Sequence, residues 1–153
     1  MSSLIRRLVE VALRVPAPLR WVAVVAWAAM IFLASNQPGL AVSDDPGVDL
    51  PVRHVAHIVV YAGLTLLITW ALAGARYPSG RTAIAAALAA LAYGVTDEWH
   101  QTMVPTRSGR PEDLLWDAIG AAIAVTLIVL MRAAIERDAS PDREADPGRS
   151  GRT

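Results

Sequence analysis

One short segment of the chain, residues 96–117 (TDEWHQTMVPTRSGRPEDLLWD), concentrates charged and imidazole side chains between two apolar runs. Arg107 and Arg110 flank a Ser-Gly turn, and an Arg pair beside exposed backbone amides can hold a phosphate or a carboxylate through bidentate bonds. Glu98 is a carboxylate next to apolar sequence, where desolvation would suit it to acid or base chemistry. The segment therefore indicates anion binding or proton transfer, unless the arginines only neutralise the neighbouring acids.

Polar side chains also recur at helical spacing on three apolar segments. His54, His57 and Tyr61 are at i, i+3 and i+7, which places them on one face of a helix, with Tyr61 about 10 Å deeper than His54. The other stripes are Asp97, Glu98 and Gln101 on one segment, and Asp113 and Asp117 on the next. A carboxylate that faces lipid is costly, so these residues should turn towards other helices and pair there.

The elements that must position these residues are predicted to be membrane spans. The chain has 153 residues, 54% of them hydrophobic, and zero formal net charge, which provides no overall field to attract nucleic acid. The lack of Cys excludes disulfides, thiolate metal sites and thiol nucleophiles. Four segments approach the roughly 20 apolar residues that a span needs. They are residues 19–35, 54–73, 82–103 and 113–134, and they predict an all-α integral membrane protein with four transmembrane helices.

The chain divides into three parts around these spans. Residues 1–18 alternate apolar and charged side chains at helical spacing, which is typical of a short amphipathic helix at the cytoplasmic membrane interface. Residues 19–135 are the predicted four-helix membrane domain. Residues 136–153, rich in charge, Pro and Gly, are predicted to be a disordered cytoplasmic tail. A cleaved signal peptide ending near Ser35 is the alternative interpretation of the first apolar block.

The placement of arginine predicts the orientation in the membrane, because short loops rich in Lys and Arg stay cytoplasmic. All fourteen basic residues are Arg, and eleven of them lie before or at the start of the first span, between the second and the third, or at the end of the fourth and beyond it. Both termini are therefore predicted to be cytoplasmic (N-in/C-in). The polar starts of the second and fourth spans and the polar end of the third then meet at the external face.

These residues also carry a resemblance to a known family. Residues 53–61 (RHVAHIVVY) are similar to the pattern R/D-K-x-x-H-F-x-x-Y of the VanZ-like family of small bacterial membrane proteins. Residues 97–109 (DEWHQTMVPTRSG), followed by Asp113, Asp117 and Gly120, resemble its longer pattern, D-E-x-x-Q-x-F-V-P-G-R-S-G-x-x-x-D-x-x-x-D/N-x-x-G. The departures are His54 for Lys, Ile58 and Met103 for Phe, and Thr106 for Gly. The resemblance implies a multi-pass protein of the bacterial plasma membrane and a link to glycopeptide (teicoplanin) resistance, but no reaction.

The function favoured by these observations is a polar pocket in the outer leaflet that binds an anionic cell-envelope ligand. Arg107 and Arg110 would grip the anion. The predicted ligand-binding residues are His57, Tyr61, Asp97, Glu98, Gln101, Arg107, Ser108, Arg110, Asp113 and Asp117. The expected partners are the lipid bilayer and this ligand, which is lipid-linked or related to peptidoglycan. No cofactor and no nucleic acid partner are predicted, and homo-oligomerisation stays open.

Three alternative functions stay open at this point. A membrane-embedded enzyme acting on a lipid-linked envelope precursor would use His57 and Glu98 as acid or base, although no activated nucleophile is evident. A proton-coupled transporter would relay protons through Glu98, His57 and Asp117. A purely structural cluster would only fix the register of the helices. A metal site is not predicted, because Glu98 and His100 are two residues apart and lie on different faces of one helix.

Overall fold

Five helices make up the described part of the protein. The computed structural model describes residues 2–37, 45–74, 76–105 and 109–138, and no strand occurs in these ranges. The helices are α1 (Ser2–Leu13), α2 (Ala17–Ser35), α3 (Pro46–Leu72), α4 (Gly80–Gln101) and α5 (Asp113–Asp138). The predicted all-helical fold is confirmed. Most of the predicted C-terminal tail, residues 139–153, lies outside the described residues.

Three of the described helices are long and apolar enough to cross a bilayer. These segments are Ala17–Ser35, Gly47–Leu72 and Asp113–Arg137. The prediction of four such helices is corrected to three, because α4 does not qualify. Most of its apolar residues are alanines, which contribute less transfer free energy than Leu or Ile because they bury less apolar area. Its last turns also carry Asp97 and Glu98, which lower its hydropathy further.

The outer surface of the bundle is apolar on every long helix. Val25 on α2, Val59 on α3, Leu88 on α4 and Leu130 on α5 are all more than half exposed. A continuous apolar surface of this kind is unfavourable in water, whereas a surface that contacts lipid requires it. The exposed faces therefore fit a membrane environment, α4 included.

Small residues allow the helices to approach closely around α3. This helix packs chiefly on α5, and both pack on α4. At Gly120 an added Cβ would stand 2.3 Å from the carbonyl oxygen of Ile58, so only glycine fits there. At Gly94 an added Cβ would stand 3.0 Å from Asp117 Oδ2 and 3.1 Å from the ring of Tyr61. These contacts bring the polar faces of three helices against one another.

Helix α3 begins at Pro46, well before residue 54, where the predicted span starts. Asp45 caps it, because its Oδ1 accepts a hydrogen bond from the backbone N–H of Gly47 at 2.8 Å. Part of the segment between the first and second predicted spans is therefore helical. The added turns place Arg53 one turn before His57, on the same face.

A buried arginine fixes the opposite end of the bundle. Arg20 is 3% exposed, and its guanidinium donates hydrogen bonds to the carbonyl oxygens of Leu13, Val15, Trp70 and Gly74. The indole Nε1 of Trp70 donates in turn to the carbonyl oxygen of Ala12 at 2.9 Å. The ends of α1 and α3 are thus held to the start of α2, where a cation satisfies carbonyl groups that a helix terminus leaves without partners.

Helix α1 is tied to the loop before α4 by Glu10. The carboxylate accepts hydrogen bonds from Arg6 Nε and from the hydroxyl of Tyr77, each at 3.0 Å. The bond from Arg6, followed by that from Tyr77, lowers the pKa of Glu10 below its ordinary value. Leu4, Leu8 and Val11 remain exposed on the other side of α1. This apolar face is suited to a membrane interface.

Candidate functional site

A buried polar cluster occupies the end of the bundle where α2 and α4 end and where α5 begins, against the first turns of α3. Its members come from four helices. They are Ser35 of α2; Arg53, His57 and Tyr61 of α3; Asp97, Glu98 and Gln101 of α4; and Asp113 and Asp117 of α5. All of these except Arg53 and His57 are at most 7% exposed. Burying so many polar groups is costly unless they bond to one another.

His57 and Asp117 form the central pair of the polar cluster. Nδ1 of His57 lies 2.7 Å from Asp117 Oδ1, and Asp117 is fully buried. An ionised carboxylate can only accept, so this contact places the imidazole proton on Nδ1. The ring of Tyr61 lies parallel to that of His57, with centroids 6.3 Å apart. The pair therefore leaves Nε2 of a well-oriented imidazole available for another contact.

Asp113 receives two basic groups from α3. Its Oδ2 accepts a hydrogen bond from Arg53 Nε at 2.9 Å, forms an ion pair with Arg53 Nη2 at 2.7 Å, and lies 3.6 Å from Nε2 of His57. The side chain of Asp113 is 3% exposed, whereas that of Arg53 is 27% exposed. Because the pair is shielded from solvent, Arg53 holds the start of α5 against α3 more firmly than a surface ion pair would.

The acids of α4 are held from two other directions. Glu98 Oε2 accepts a hydrogen bond from the backbone N–H of Arg110 at 2.6 Å, which ties the end of α4 to the chain entering α5. Asp97 Oδ2 accepts hydrogen bonds from Ser35 Oγ at 2.6 Å and from Gln101 Nε2 at 3.1 Å. The same amide nitrogen lies 3.4 Å from Glu98 Oε1. The two carboxylates are thus fixed in position.

The polar cluster is acidic and incompletely satisfied. Four carboxylates, those of Asp97, Glu98, Asp113 and Asp117, are buried in it. Within the described residues, the cationic side chains that contact them are Arg53 and, when protonated, His57. Three buried oxygens, Asp97 Oδ1, Gln101 Oε1 and Asp117 Oδ2, have no hydrogen-bond partner in the described part of the chain. Such atoms are expected to contact water, an ion or a ligand.

Three side chains of the polar cluster are close enough to share one cation. One candidate ligand atom each from His57, Glu98 and Asp113 lies within 4.8 Å of the other two. The absence of a metal site was predicted from the spacing of Glu98 and His100 along α4. That spacing does not bear on a set of ligands drawn from three helices. His100, the histidine considered there, lies instead against the ring of Phe32 with centroids 4.6 Å apart.

A groove of about 250 Å³ runs from the polar cluster between α2 and α3. Its polar lining residues are Ser35, Asp49, Arg53, His57, Tyr61, Asp97 and Gln101. Its walls carry apolar side chains, which are Met30, Ile31, Ala34, Val52, Ala56 and Val60. A groove that is polar at one end and apolar along its walls matches a ligand with a polar head and a hydrocarbon chain.

The predicted site residues fall into three groups. Those brought together in the polar cluster are His57, Tyr61, Asp97, Glu98, Gln101, Asp113 and Asp117. Arg110 is exposed and contacts Glu98 through its backbone N–H. Arg107 and Ser108 lie outside the described residues. His54, on the same stripe as His57, stacks on Trp116 with ring centroids 4.3 Å apart.

Two members of the polar cluster were not among the predicted site residues. Arg53 is one turn before His57 in the chain, so the extension of the histidine stripe by four residues could have identified it. Ser35 gave no usable signal, because a single hydroxyl at the end of an apolar helix is common and only the packing of α2 on α4 brings it to Asp97.

A comparison with known families identifies the chain over most of its length. A family model described as VanZ/LLP1 matches residues 20–132. This range includes every residue of the polar cluster. Neither a curated protein nor a solved structure matches the chain.

Proposed function

The chain belongs to the VanZ/LLP1 family, and we propose that it is a multi-pass protein of the bacterial plasma membrane that binds the anionic headgroup of a lipid-linked cell-envelope intermediate. The observation that carries this proposal is the groove between α2 and α3, polar at one end and apolar along its walls. A phosphate at the polar end would meet Arg53, and a hydrocarbon chain would follow Met30 and Val60. A ligand of this kind enters laterally from the bilayer.

Arg53 is the cation best placed to meet such a headgroup. One of its five N–H groups, that of Nε, donates to Asp113 Oδ2, and its side chain is 27% exposed at the polar end of the groove. Guanidinium groups bind phosphate through paired hydrogen bonds, so Arg53 would serve as the gripping charge together with the predicted Arg107 and Arg110. The acids behind it would orient these cations.

The proposal includes a membrane arrangement in which both termini are cytoplasmic. Helices α2, α3 and α5 are apolar enough to span alone, and α4 would cross the bilayer as part of the bundle. The inner and outer faces of α4 both support its crossing of the bilayer. The inner face of α4 buries its small and polar residues, including Ala86, Ala90 and Glu98, while its outer face exposes Ile84, Leu88 and Val95. The polar cluster would then lie near the outer surface, as the distribution of arginine predicts.

The test of binding uses the purified chain and a polyprenyl phosphate, with lipid capture measured by native mass spectrometry. We expect the wild type to retain the lipid, and Arg53→Gln to bind it at least about tenfold more weakly, which corresponds to about 1.4 kcal/mol. Ala56→Trp should fill the groove and have a similar effect, because Ala56 is an exposed residue of its wall. Ala29→Trp, at another exposed alanine on α2, is the matched control.

One outcome would contradict lipid binding in the groove. If the wild type captures no more polyprenyl phosphate than Ala56→Trp does, the groove is not a lipid site. A role in glycopeptide resistance is tested separately, by expressing the wild type, Arg53→Gln, Glu98→Gln and Arg107→Ala at matched membrane levels in a susceptible host. Unchanged teicoplanin sensitivity in all four strains would remove the resistance role and leave the binding proposal standing.

An enzymatic function is the second candidate, and the His57–Asp117 pair is the observation that favours it. A histidine that lines the groove and is oriented by a buried carboxylate is the arrangement of a general base. Turnover of a lipid-linked phosphate precursor by the wild type, and its loss in His57→Gln, would support catalysis. Retention of an unchanged lipid by both proteins would leave binding as the function.

A further inference from the structure

We propose that His57, Glu98 and Asp113 bind one divalent metal ion of the Mn²⁺ or Zn²⁺ class. The three residues come from α3, α4 and α5, and their candidate ligand atoms lie within 4.8 Å of one another. Ligands at about 2.1 Å from one tetrahedral ion are about 3.4 Å apart. The separation of 3.6 Å between His57 Nε2 and Asp113 Oδ2 is close to that value. The widest pair of candidate atoms is at most 4.8 Å apart, so a movement of about 1.4 Å or less, shared between two side chains, would complete the coordination.

The contact behind His57 is the one that metal-binding histidines make. Such a histidine almost always donates its other ring N–H to a carboxylate or carbonyl oxygen, which fixes the tautomer and directs the free nitrogen at the ion. Here Asp117 Oδ1 lies 2.7 Å from Nδ1, and Asp117 is fully buried. Nε2, the nitrogen left over, is the one nearest Asp113. This arrangement is independent of the clustering of acids and points to a ligand on Nε2.

The charge balance of the polar cluster also favours a cation. Its four buried carboxylates are contacted, among the described residues, by one guanidinium and one imidazole. A divalent ion would offset the excess, which would otherwise have to be removed by protonation. Arg53 would continue to donate a hydrogen bond to the Asp113 carboxylate when a metal is bound. Carboxylates that bind metals are commonly held in place by such a hydrogen bond.

The buried side-chain amide of Gln101, next to Glu98, also has an oxygen that lacks a hydrogen-bond donor among the described residues. Gln101 is 2% exposed, and its Nε2 lies 3.4 Å from Glu98 Oε1. Its Oε1 is buried and has no hydrogen-bond partner within the described ranges. Water bound to a metal is a strong hydrogen-bond donor, and three protein ligands leave at least one position for such a water. Gln101 would accept from it.

The ligand set determines the class of metal. One imidazole and two carboxylates suit Mn²⁺ or Zn²⁺, whereas sites for Mg²⁺ or Ca²⁺ use oxygen ligands. No Cys is available to select softer ions. An ion with an open position could also contact an anionic headgroup. The inference nevertheless stands apart from the proposed lipid ligand, because metal binding is measured without it.

The experiment is a metal titration of the purified full-length chain after removal of bound ions with a chelator. We expect one Zn²⁺ or Mn²⁺ per chain. Bound Mn²⁺ should show hyperfine coupling to one directly coordinated imidazole ¹⁴N in pulsed electron paramagnetic resonance. His57→Gln, Glu98→Gln and Asp113→Asn should each lower the affinity at least tenfold, and Asp117→Asn should lower it about 10- to 100-fold.

Two control variants make the same chemical changes at residues outside the proposed metal site. Glu10→Gln removes a carboxylate on α1, and His54→Gln removes the imidazole that stacks on Trp116. Both should bind metal as the wild type does. The proposal is overturned if the wild type binds neither ion stoichiometrically, or if its bound Mn²⁺ shows no ¹⁴N coupling, and both readings are independent of how the variants fold. Equal affinity in the ligand variants and the controls would overturn it too.

Discussion

Gly120 lies directly against the backbone of Ile58: a Cβ on Gly120 would stand 2.3 Å from that carbonyl oxygen and 3.0 Å from the carbonyl carbon. No rotamer change can relieve this contact, because the neighbouring atoms are backbone. The contact therefore sets the distance between α3 and α5 in the first turns of α5, next to the polar cluster.

Gly120→Ala should destabilise the protein, since the two helices must move apart to admit the methyl group. Overpacking of this kind costs about 1–3 kcal/mol. Thermal unfolding in detergent, followed by circular dichroism, measures the loss. Gly80→Ala is the matched control, because its Cβ would meet Val129 at an ordinary 3.6 Å. Equal melting temperatures for the two variants would show that α3 and α5 have room to adjust at Gly120.

Arg20→Lys should lower the thermal stability although it conserves the charge. The guanidinium of Arg20 reaches carbonyl oxygens at the ends of two helices, α1 and α3, and in the connections that follow them, and the single ammonium of a lysine cannot contact all of them. The carbonyl groups left without a donor belong to half-buried residues such as Leu13, Val15 and Trp70, so we expect a loss of about 1–2 kcal/mol. Arg7→Lys, at an exposed position on α1, should have no effect. A stable Arg20→Lys protein would mean that water replaces the guanidinium.

His57 should carry a proton on Nδ1 in the metal-free protein. The ¹⁵N chemical shifts of labelled histidine distinguish the two tautomers, and the chain has only three histidines to assign. In Asp117→Asn, the preference for the Nδ1–H form should weaken, because an amide can donate as well as accept. His54, which stacks on Trp116, should keep its spectrum in both proteins. Protonation of His57 on Nε2 alone in the wild type would contradict a hydrogen bond from Nδ1–H to Asp117.

Single cysteines can determine the membrane orientation, because the chain has none of its own. In intact cells, a membrane-impermeant maleimide should label Asn36→Cys and Pro105→Cys, at the ends of α2 and α4 that carry the polar cluster. It should label Arg76→Cys and Arg137→Cys, both at exposed positions, only after the cells are opened. The reverse pattern would place the polar cluster at the cytoplasmic face. Labelling of Asn36→Cys without Pro105→Cys would show that α4 does not cross.

Much of this arrangement follows from periodicity along the chain. Long apolar runs predict the helices, and a stripe such as His57 and Tyr61 predicts which face turns inward. Antiparallel packing of neighbouring helices then predicts that polar ends of α3, α4 and α5 meet. Each of these inferences uses local spacing and the cost of exposing a polar group to lipid.

The pairings inside the polar cluster could not be obtained in this way. Whether Asp113 meets Arg53 or His57 depends on the rotation of α5 about its own axis, which the close contact at Gly120 sets. The number of helices apolar enough to cross the membrane was also not predicted correctly from the sequence. Segment length suggested that α4 spans, yet its alanines supply packing with its neighbours more than hydrophobic free energy.

The carbonyl contacts of Arg20 have a mechanical consequence for the groove at the far end of α2. That helix is anchored at its first turn by several hydrogen bonds and in its middle by two more, from Trp27 Nε1 to the carbonyl oxygen of Val60 and from the Tyr93 hydroxyl to that of Ala28. A helix fixed over its first three turns moves most easily at its other end. Widening of the groove for a bulky headgroup therefore costs least as an outward bend of the last turns of α2, which carries Met30 and Ile31 into the surrounding lipid.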